Sequence, residues 1–127
     1  MTKKKQVIAV LDDEPEMRKA LRRLLASRGF CVKEYEGGEA FLAAFGSEPL
    51  DCLLLDLHMP GLNGFEVLEA LCIRRLSVPV IVITAHNEAC TAERVRALGV
   101  SAYLKKPVDC DVLLSAIAEA TAGIHRL

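Results

Sequence analysis

Polar residues stand directly behind four hydrophobic runs: Asp12-Asp13 after VIAVL, Asp56 after CLLL, Thr84 after VIVI and Lys106 after AYLK. Each run has the length and composition of a short buried strand. In a parallel sheet such ends fall along one edge, which brings three carboxylates, a hydroxyl and an ammonium to one pocket. Two carboxylates roughly 4 Å apart repel by about 4 kcal/mol at an effective dielectric of about 20. A hard cation removes that conflict, and oxygen-only, partly hydrated sites suit magnesium. In this reading Asp13 and Asp56 ligate the ion, and Asp12 holds it directly or through water. The backbone carbonyl of His58, two residues beyond Asp56, completes the shell. A carboxylate beside cations is equipped for phosphoryl chemistry, with Asp56 as nucleophile forming an acyl phosphate. The metal, the Lys106 ammonium and the Thr84 hydroxyl then share the phosphoryl oxygens.

Taken singly, each residue has an ordinary structural reading. Asp13 caps a helix, Thr84 belongs to a turn, and Lys106-Pro107 lies in a solvated loop. The joint pattern, with the right types at successive strand ends, favours chemistry over those separate accounts.

Five strands and five helices in alternation must position these residues. Strands are expected over Val7–Leu11, Cys31–Tyr35, Cys52–Leu55, Val80–Ile83 and Ala102–Leu104. Asp13-Glu14-Pro15 supplies a capping carboxylate and a first-turn proline for a helix carrying Met17, Leu21, Leu24 and Leu25 on one face. Arg18, Lys19, Arg22 and Arg23 take its other face, and Gly29 closes it. Gly37-Gly38 reads as a break before a short helix over Ala40–Phe45. Further helices are expected over Phe65–Cys72, Glu88–Leu98 and about Asp109 to Ala122. Gly64 stands where the chain turns closely or in an ordinary flexible turn. Strict alternation implies a parallel sheet covered on both faces. The uniformly apolar Cys52–Leu55 belongs at its centre, and Cys31–Tyr35 at an edge. A doubly wound sheet of order 2-1-3-4-5 satisfies this and puts Asp12, Asp13 and Asp56 at the switch point.

The 127 residues suit one domain, 52% hydrophobic and 26% charged, with a net charge of −1. That balance gives no support to nucleic-acid binding by this domain. Lys3-Lys4-Lys5 reads as a solvated chain end. The five cysteines, Cys31, Cys52, Cys72, Cys90 and Cys110, are odd in number and widely spaced. They match neither a disulfide framework nor a zinc site and read as small buried hydrophobes in a reducing cytoplasm. No stretch has the character of a signal peptide or a membrane span.

The segments VLDDEPEMR, LLLDLHMPGLNGFEVL, VIVITAH and ALGVSAYLKKPVD together resemble the response-regulator receiver domain of two-component signalling, over nearly the whole length. The resemblance implies a flavodoxin-like fold, Asp56 as phosphoacceptor, Asp12 and Asp13 as the acidic pair, and Lys106 as the family lysine. It implies Thr84 as the switch hydroxyl, Tyr103 as the switch aromatic, and a cis peptide between Lys106 and Pro107. It also implies a sensor histidine kinase as phosphoryl donor and control of an output such as transcription. From the residues alone, Tyr103 reads only as a half-buried strand aromatic. If Thr84 follows the phosphoryl group inward, Tyr103 turns into the vacated space and the fourth helix, fifth strand and fifth helix change surface. Glu93, Arg94, Arg96, Lys105 and Asp111 give that face mixed charge suited to a reciprocal homodimer contact. His58 and His86 either flank the path of water to the acyl phosphate or are simply exposed. His125 reads as solvent-exposed. Three other classes compete with this one, among them a flavin-binding domain, which would want a phosphate-cradling loop where Asp12-Asp13-Glu14 would repel a phosphate. An aspartyl phosphatase would need a general acid where His58 stands, and a phosphorylation-independent receiver-like module tends to lack a member of this set. The chain is expected to be either a stand-alone receiver or a piece of a larger regulator.

Overall fold

The computed structural model describes residues 5–46, 49–74, 77–85 and 89–122. Lys3, Lys4, His86, Glu88 and His125 lie outside the described residues, as does the side chain of Cys90. The elements alternate in chain order: β1 (Val7–Leu11), α1 (Pro15–Ser27), β2 (Cys31–Tyr35), α2 (Gly38–Ala44), β3 (Cys52–Leu55), α3 (Gly64–Ile73), β4 (Val80–Thr84), α4 (Ala89–Ala97), β5 (Ala102–Lys105) and α5 (Cys110–Thr121). The strands form one parallel sheet of order β2-β1-β3-β4-β5.

Strand residues alternate between two apolar layers, as the period of two along an extended chain requires. Ala9, Leu11, Leu53, Leu55 and Val82 face Phe41 of α2, Val67, Leu68 and Leu71 of α3, and Val95 of α4. Ile8, Val10, Leu54, Ile81 and Ile83 face Leu21 and Leu25 of α1 and Leu113 and Ile117 of α5. The preference for right-handed crossovers explains the division. The path runs from β1 outward to β2, then reverses across β1 toward β5, so α1 lies on one face and α2, α3 and α4 on the other. Each buried Leu, Ile or Val contributes about 1.5–3 kcal/mol relative to exposure. The outermost strand β2, with no fully buried residue, is the edge its alternation predicted.

The carboxyl end of β3 is held by a short-range device. Leu57 and Met59 continue beyond the strand into the α3-side layer. Asn63 and Glu66 then exchange hydrogen bonds, each backbone N–H donating to the other's side chain at 3.0 Å, which starts α3. Between them Gly64 passes so close to β3 that a Cβ there would lie 2.6 Å from both the Asp56 carbonyl oxygen and Leu57 Cα. The close-turn reading of Gly64 therefore holds, and the requirement is contact with backbone rather than flexibility.

Several expectations need correction. Gly38 is not a break: it is buried within α2, where a Cβ would meet Val67 Cγ2 at 2.7 Å and the Leu62 carbonyl at 2.9 Å. The cysteines are not uniformly buried. Cys52 is, but Cys31, Cys72 and Cys110 are exposed: edge position and helix phase turn Cys31 and Cys72 outward despite apolar neighbours, and Cys110 stands between Asp109 and Asp111 at the start of α5. The helix after β1 has no side-chain cap: its N-cap is Glu14, with Pro15 following. Arg18 is not on the solvent face, since its guanidinium folds back to donate to the Asp12 carbonyl at 2.6 Å.

We predict that Gly64→Ala lowers stability in urea unfolding by about 1–3 kcal/mol, the range for overpacking against an unyielding neighbour. Gly37→Ala, where nothing lies within 4 Å of the added Cβ, should change it by less than about 0.5 kcal/mol.

Candidate functional site

Four strand ends build the site. β1 ends at Leu11, and Asp12 follows it with 3% exposure, while Asp56 after β3 has 4%. The Asp56 backbone N–H donates to the Leu11 carbonyl at 3.0 Å, so the adjacent strands carry their acidic residues to the same level. Thr84, the last residue of β4, is fully buried. Its carbonyl accepts from the Lys106 N–H at 2.8 Å, which extends the β4–β5 ladder and delivers the lysine to the same edge. The peptide between Lys106 and Pro107 is cis, as the resemblance implied.

The Lys106 ammonium is the hub. Its Nζ lies 2.8 Å from Glu14 Oε1, 3.0 Å from Asp12 Oδ2 and 3.6 Å from Asp56 Oδ2. The other oxygens of the two aspartates serve the backbone. Asp12 Oδ1 accepts the Glu14 N–H at 2.9 Å, and Asp56 Oδ1 accepts the His58 N–H at 3.2 Å. Both carboxylates are thus pinned at one oxygen and turned toward the ammonium with the other.

The charge balance remains uneven. Burial, reinforced by the charges of Asp12 and Asp13, pushes the Asp56 carboxyl up to about 6 from 3.8, against the opposing pull of the His58 N–H and Lys106. Lys106 moves the other way from a simple buried amine. Burial opposes its charge, but hydrogen bonds to Glu14 and Asp12, with the charge of Asp56, hold its pKa above the ordinary lysine value. Glu14 is held below the usual carboxylate range by its hydrogen bond with Lys106. One buried cation does not neutralise this group.

Asp12, Asp13, Glu14 and Asp56 each offer a carboxylate oxygen, and these atoms lie within 4.8 Å of one another. The donors are all oxygen, a set that fits a hard dication such as magnesium and excludes softer metals that favour thiolate or imidazole. The raised Asp56 pKa, due first to burial and then to the charge of Asp12, is in keeping with a carboxylate that a dication would help to hold ionised.

The sequence-derived residues Asp12, Asp13, Asp56 and Lys106 therefore meet, and Thr84 is joined to Lys106 through the backbone. The His58 side chain is exposed, because its neighbours Leu57 and Met59 take the inward positions. Tyr103 stands beside Val82 in the sheet, half-buried against the α3-side layer, matching what its residue pattern alone suggested. Glu14 was missed as a Lys106 partner, and the run of three acidic residues before Pro15 was its only signal. Arg94 is engaged with α3 rather than projecting alone: its guanidinium lies 4.2 Å from the Phe65 ring centroid and 3.3 Å from Glu69. A cavity of about 270 Å³ opens elsewhere, near the amino end of β4, lined chiefly by Leu68, Leu71, Val78, Val80 and Leu98. It lacks charged groups and takes no part in this arrangement.

Comparison with known proteins points the same way. The family model of the response regulator receiver domain matches residues 8–118. Transcriptional regulatory protein FixJ of Bradyrhizobium diazoefficiens is 34% identical over 113 residues, covering 89% of this chain and 55% of FixJ. The DNA-binding transcriptional regulator NtrC of Salmonella typhimurium is 35% identical over 114 residues, covering 90% of this chain and 24% of NtrC. The chain thus spans about half the length of FixJ and about a quarter of NtrC. The crystal structure of FixJ-N superposes with a TM-score of 0.88 at 32% identity, covering 98% of this chain and 100% of that one. Among the described residues no helix is long and apolar enough to cross a membrane. With this strand order, this acidic edge and a match over most of its length, the chain belongs to the receiver-domain family of two-component response regulators and is related within it to FixJ and NtrC.

Proposed function

We propose that the 127 residues act as one receiver unit, a phosphorylation-controlled switch with Asp56 as its phosphoacceptor. A carboxylate oxygen of Asp56 attacks the phosphorus of a phosphohistidine on a sensor histidine kinase. The P–O bond forms as the P–N bond breaks, and the histidine nitrogen leaves with the electron pair. Asp12, Asp13 and Asp56, with the His58 backbone carbonyl, are the residues that would hold magnesium. Bound there, the ion supplies positive charge to the transferring phosphoryl oxygens. Lys106 offers a fixed ammonium to one of these oxygens and Thr84 a hydroxyl to another. Hydrolysis of the acyl phosphate resets the switch, so the only chemistry is on the protein's own side chain.

The observation that carries this reading is the placement of one ammonium 3.0 Å from Asp12 and 3.6 Å from Asp56 at the floor of an all-oxygen cluster. The readout follows from the buried Thr84 at the end of β4 and the half-buried Tyr103 on the neighbouring strand β5, paired with Val82. When Thr84 shifts toward the phosphoryl group, Tyr103 gains room to turn inward and the α4-β5-α5 face changes. That face carries the exposed charges Glu93, Arg96, Lys105 and Asp111 and serves as a contact for a second copy or an output region. Control of transcription is the output that the relatives FixJ and NtrC suggest. The receiver works in the cytoplasm and does not itself contact nucleic acid.

Asp56→Asn should abolish magnesium-dependent labelling by acetyl phosphate, and undiminished labelling would refute the nucleophile assignment. Thr84→Ala should still bind beryllofluoride at Asp56 yet lose the accompanying shift of the Tyr103 ring resonances in NMR spectra. Persistence of that shift would separate Thr84 from the switch.

The raised Asp56 pKa makes a further prediction. A carboxyl whose folded pKa exceeds its unfolded value binds its proton more tightly when folded. Stability is therefore lost as pH rises from 3.8 through about 6. In metal-free buffer Asp56→Asn should be more stable than the wild type at pH near 7, by on the order of 2 kcal/mol. Below pH about 4 the two should converge. Magnesium should narrow the difference at neutral pH, and thermal unfolding with and without a chelator checks all three points.

A further inference from the structure

The shortest contact of the Lys106 ammonium is with a residue outside the buried cleft. Glu14 accepts from Nζ at 2.8 Å, against 3.0 Å for Asp12 and 3.6 Å for Asp56. The side chains differ sharply in depth: Glu14 is 60% exposed, whereas Asp12 and Asp56 are each 4% exposed. The lysine therefore bridges the rim of the cleft to its floor, with its closest partner at the rim.

Local structure fixes Glu14 in that place. The Asp12 carboxylate accepts the Glu14 N–H at 2.9 Å, and Pro15 sets the first turn of α1. Arg18 adds a second tie, donating its backbone N–H to the Glu14 carbonyl at 3.1 Å and its guanidinium to the Asp12 carbonyl at 2.6 Å. A carboxylate at this helix N-terminus is also favoured by the exposed N–H groups there. The rim anion is thus a built feature of the β1–α1 turn.

We infer that Glu14 is a positioning residue that holds Lys106 at the rim in the resting state and competes with an acyl phosphate on Asp56 for the same ammonium. The inference rests on the reading of Asp56 as phosphoacceptor and adds to it a brake on the active state. To meet a phosphoryl oxygen deep in the cleft, Nζ must leave Glu14, its closest partner. The Glu14–Lys106 pair stabilises the unmodified protein and so sets part of the resting population. Because Glu14 is largely solvent-facing, the brake is modest and weakened by salt.

The test is calorimetric titration of beryllofluoride, the acyl-phosphate mimic, into the full chain at saturating magnesium, so that altered metal affinity is not read. Glu14→Gln keeps the shape and removes the charge. It should bind beryllofluoride roughly two- to fivefold more tightly than wild type, the scale of a partly exposed ion pair. The advantage should shrink as potassium chloride is raised from about 0.02 M to about 0.5 M, where screening reaches within about 5 Å. Equal or weaker binding by Glu14→Gln overturns the competition, and tighter binding that ignores salt overturns its electrostatic origin. If the wild type itself takes up no beryllofluoride, the Asp56 reading fails first, an outcome distinct from failure of the Glu14 inference alone.

Discussion

Repulsion among acidic groups at the carboxyl edge of the sheet is the constraint on which the rest of this molecule depends. Asp12 and Asp56 are nearly inaccessible to water, and Asp13 and Glu14 bring two more carboxylates within 4.8 Å. Folding that placed them there without compensation would cost several kcal/mol per buried charge. The chain offsets part of the cost with Lys106 and with backbone N–H groups that pin one oxygen of each inner aspartate. The remainder stays in the raised pKa of Asp56. An incompletely neutralised, all-oxygen cluster of this kind has the chemistry to take a hard dication.

The fold serves this edge in a direct way. Two apolar layers lock the register of β1, β3 and β4, so their ends stop at a common level. The backbone bond from Asp56 to Leu11 and the bond from Lys106 to Thr84 carry that register past the strand ends into the site. Gly64 allows α3 to begin against the Asp56 carbonyl, which leaves the backbone of Asp56 wedged between β1 and α3. Buried Thr84 ends β4 beside this floor, and Tyr103 of the neighbouring β5 is only partly covered.

Much of this was legible in the sequence because β1, β3 and β4 are near-continuous apolar runs and the polar residue ending each is of a distinct chemical type. Strand order, the placement of helices and the meeting of Asp12, Asp13, Asp56 and Lys106 followed from that pattern and from the family resemblance. What was not legible depends on contacts distant along the chain. The bond between Glu14 and Lys106 joins residues 92 positions apart, and the acidic run before Pro15 alone does not name the partner. Gly38 looks like a break locally, and only Val67 and Leu62 packed over it reveal why a side chain is excluded. Cys31 and Cys72 sit among apolar neighbours, yet the edge of a sheet or the turn of a helix decides which way each sulfur faces. Arg18 looked like a surface residue until its guanidinium was found on the Asp12 carbonyl.

The most direct measurement is a crystal structure of the chain grown with magnesium and beryllofluoride. The account predicts an ion coordinated by oxygens of Asp12, Asp13 and Asp56, and beryllofluoride joined to Asp56 with Lys106 Nζ on one of its fluorines. A structure with no ion among these carboxylates and Asp56 unmodified, with Lys106 still bridging Glu14 and Asp12, would contradict it.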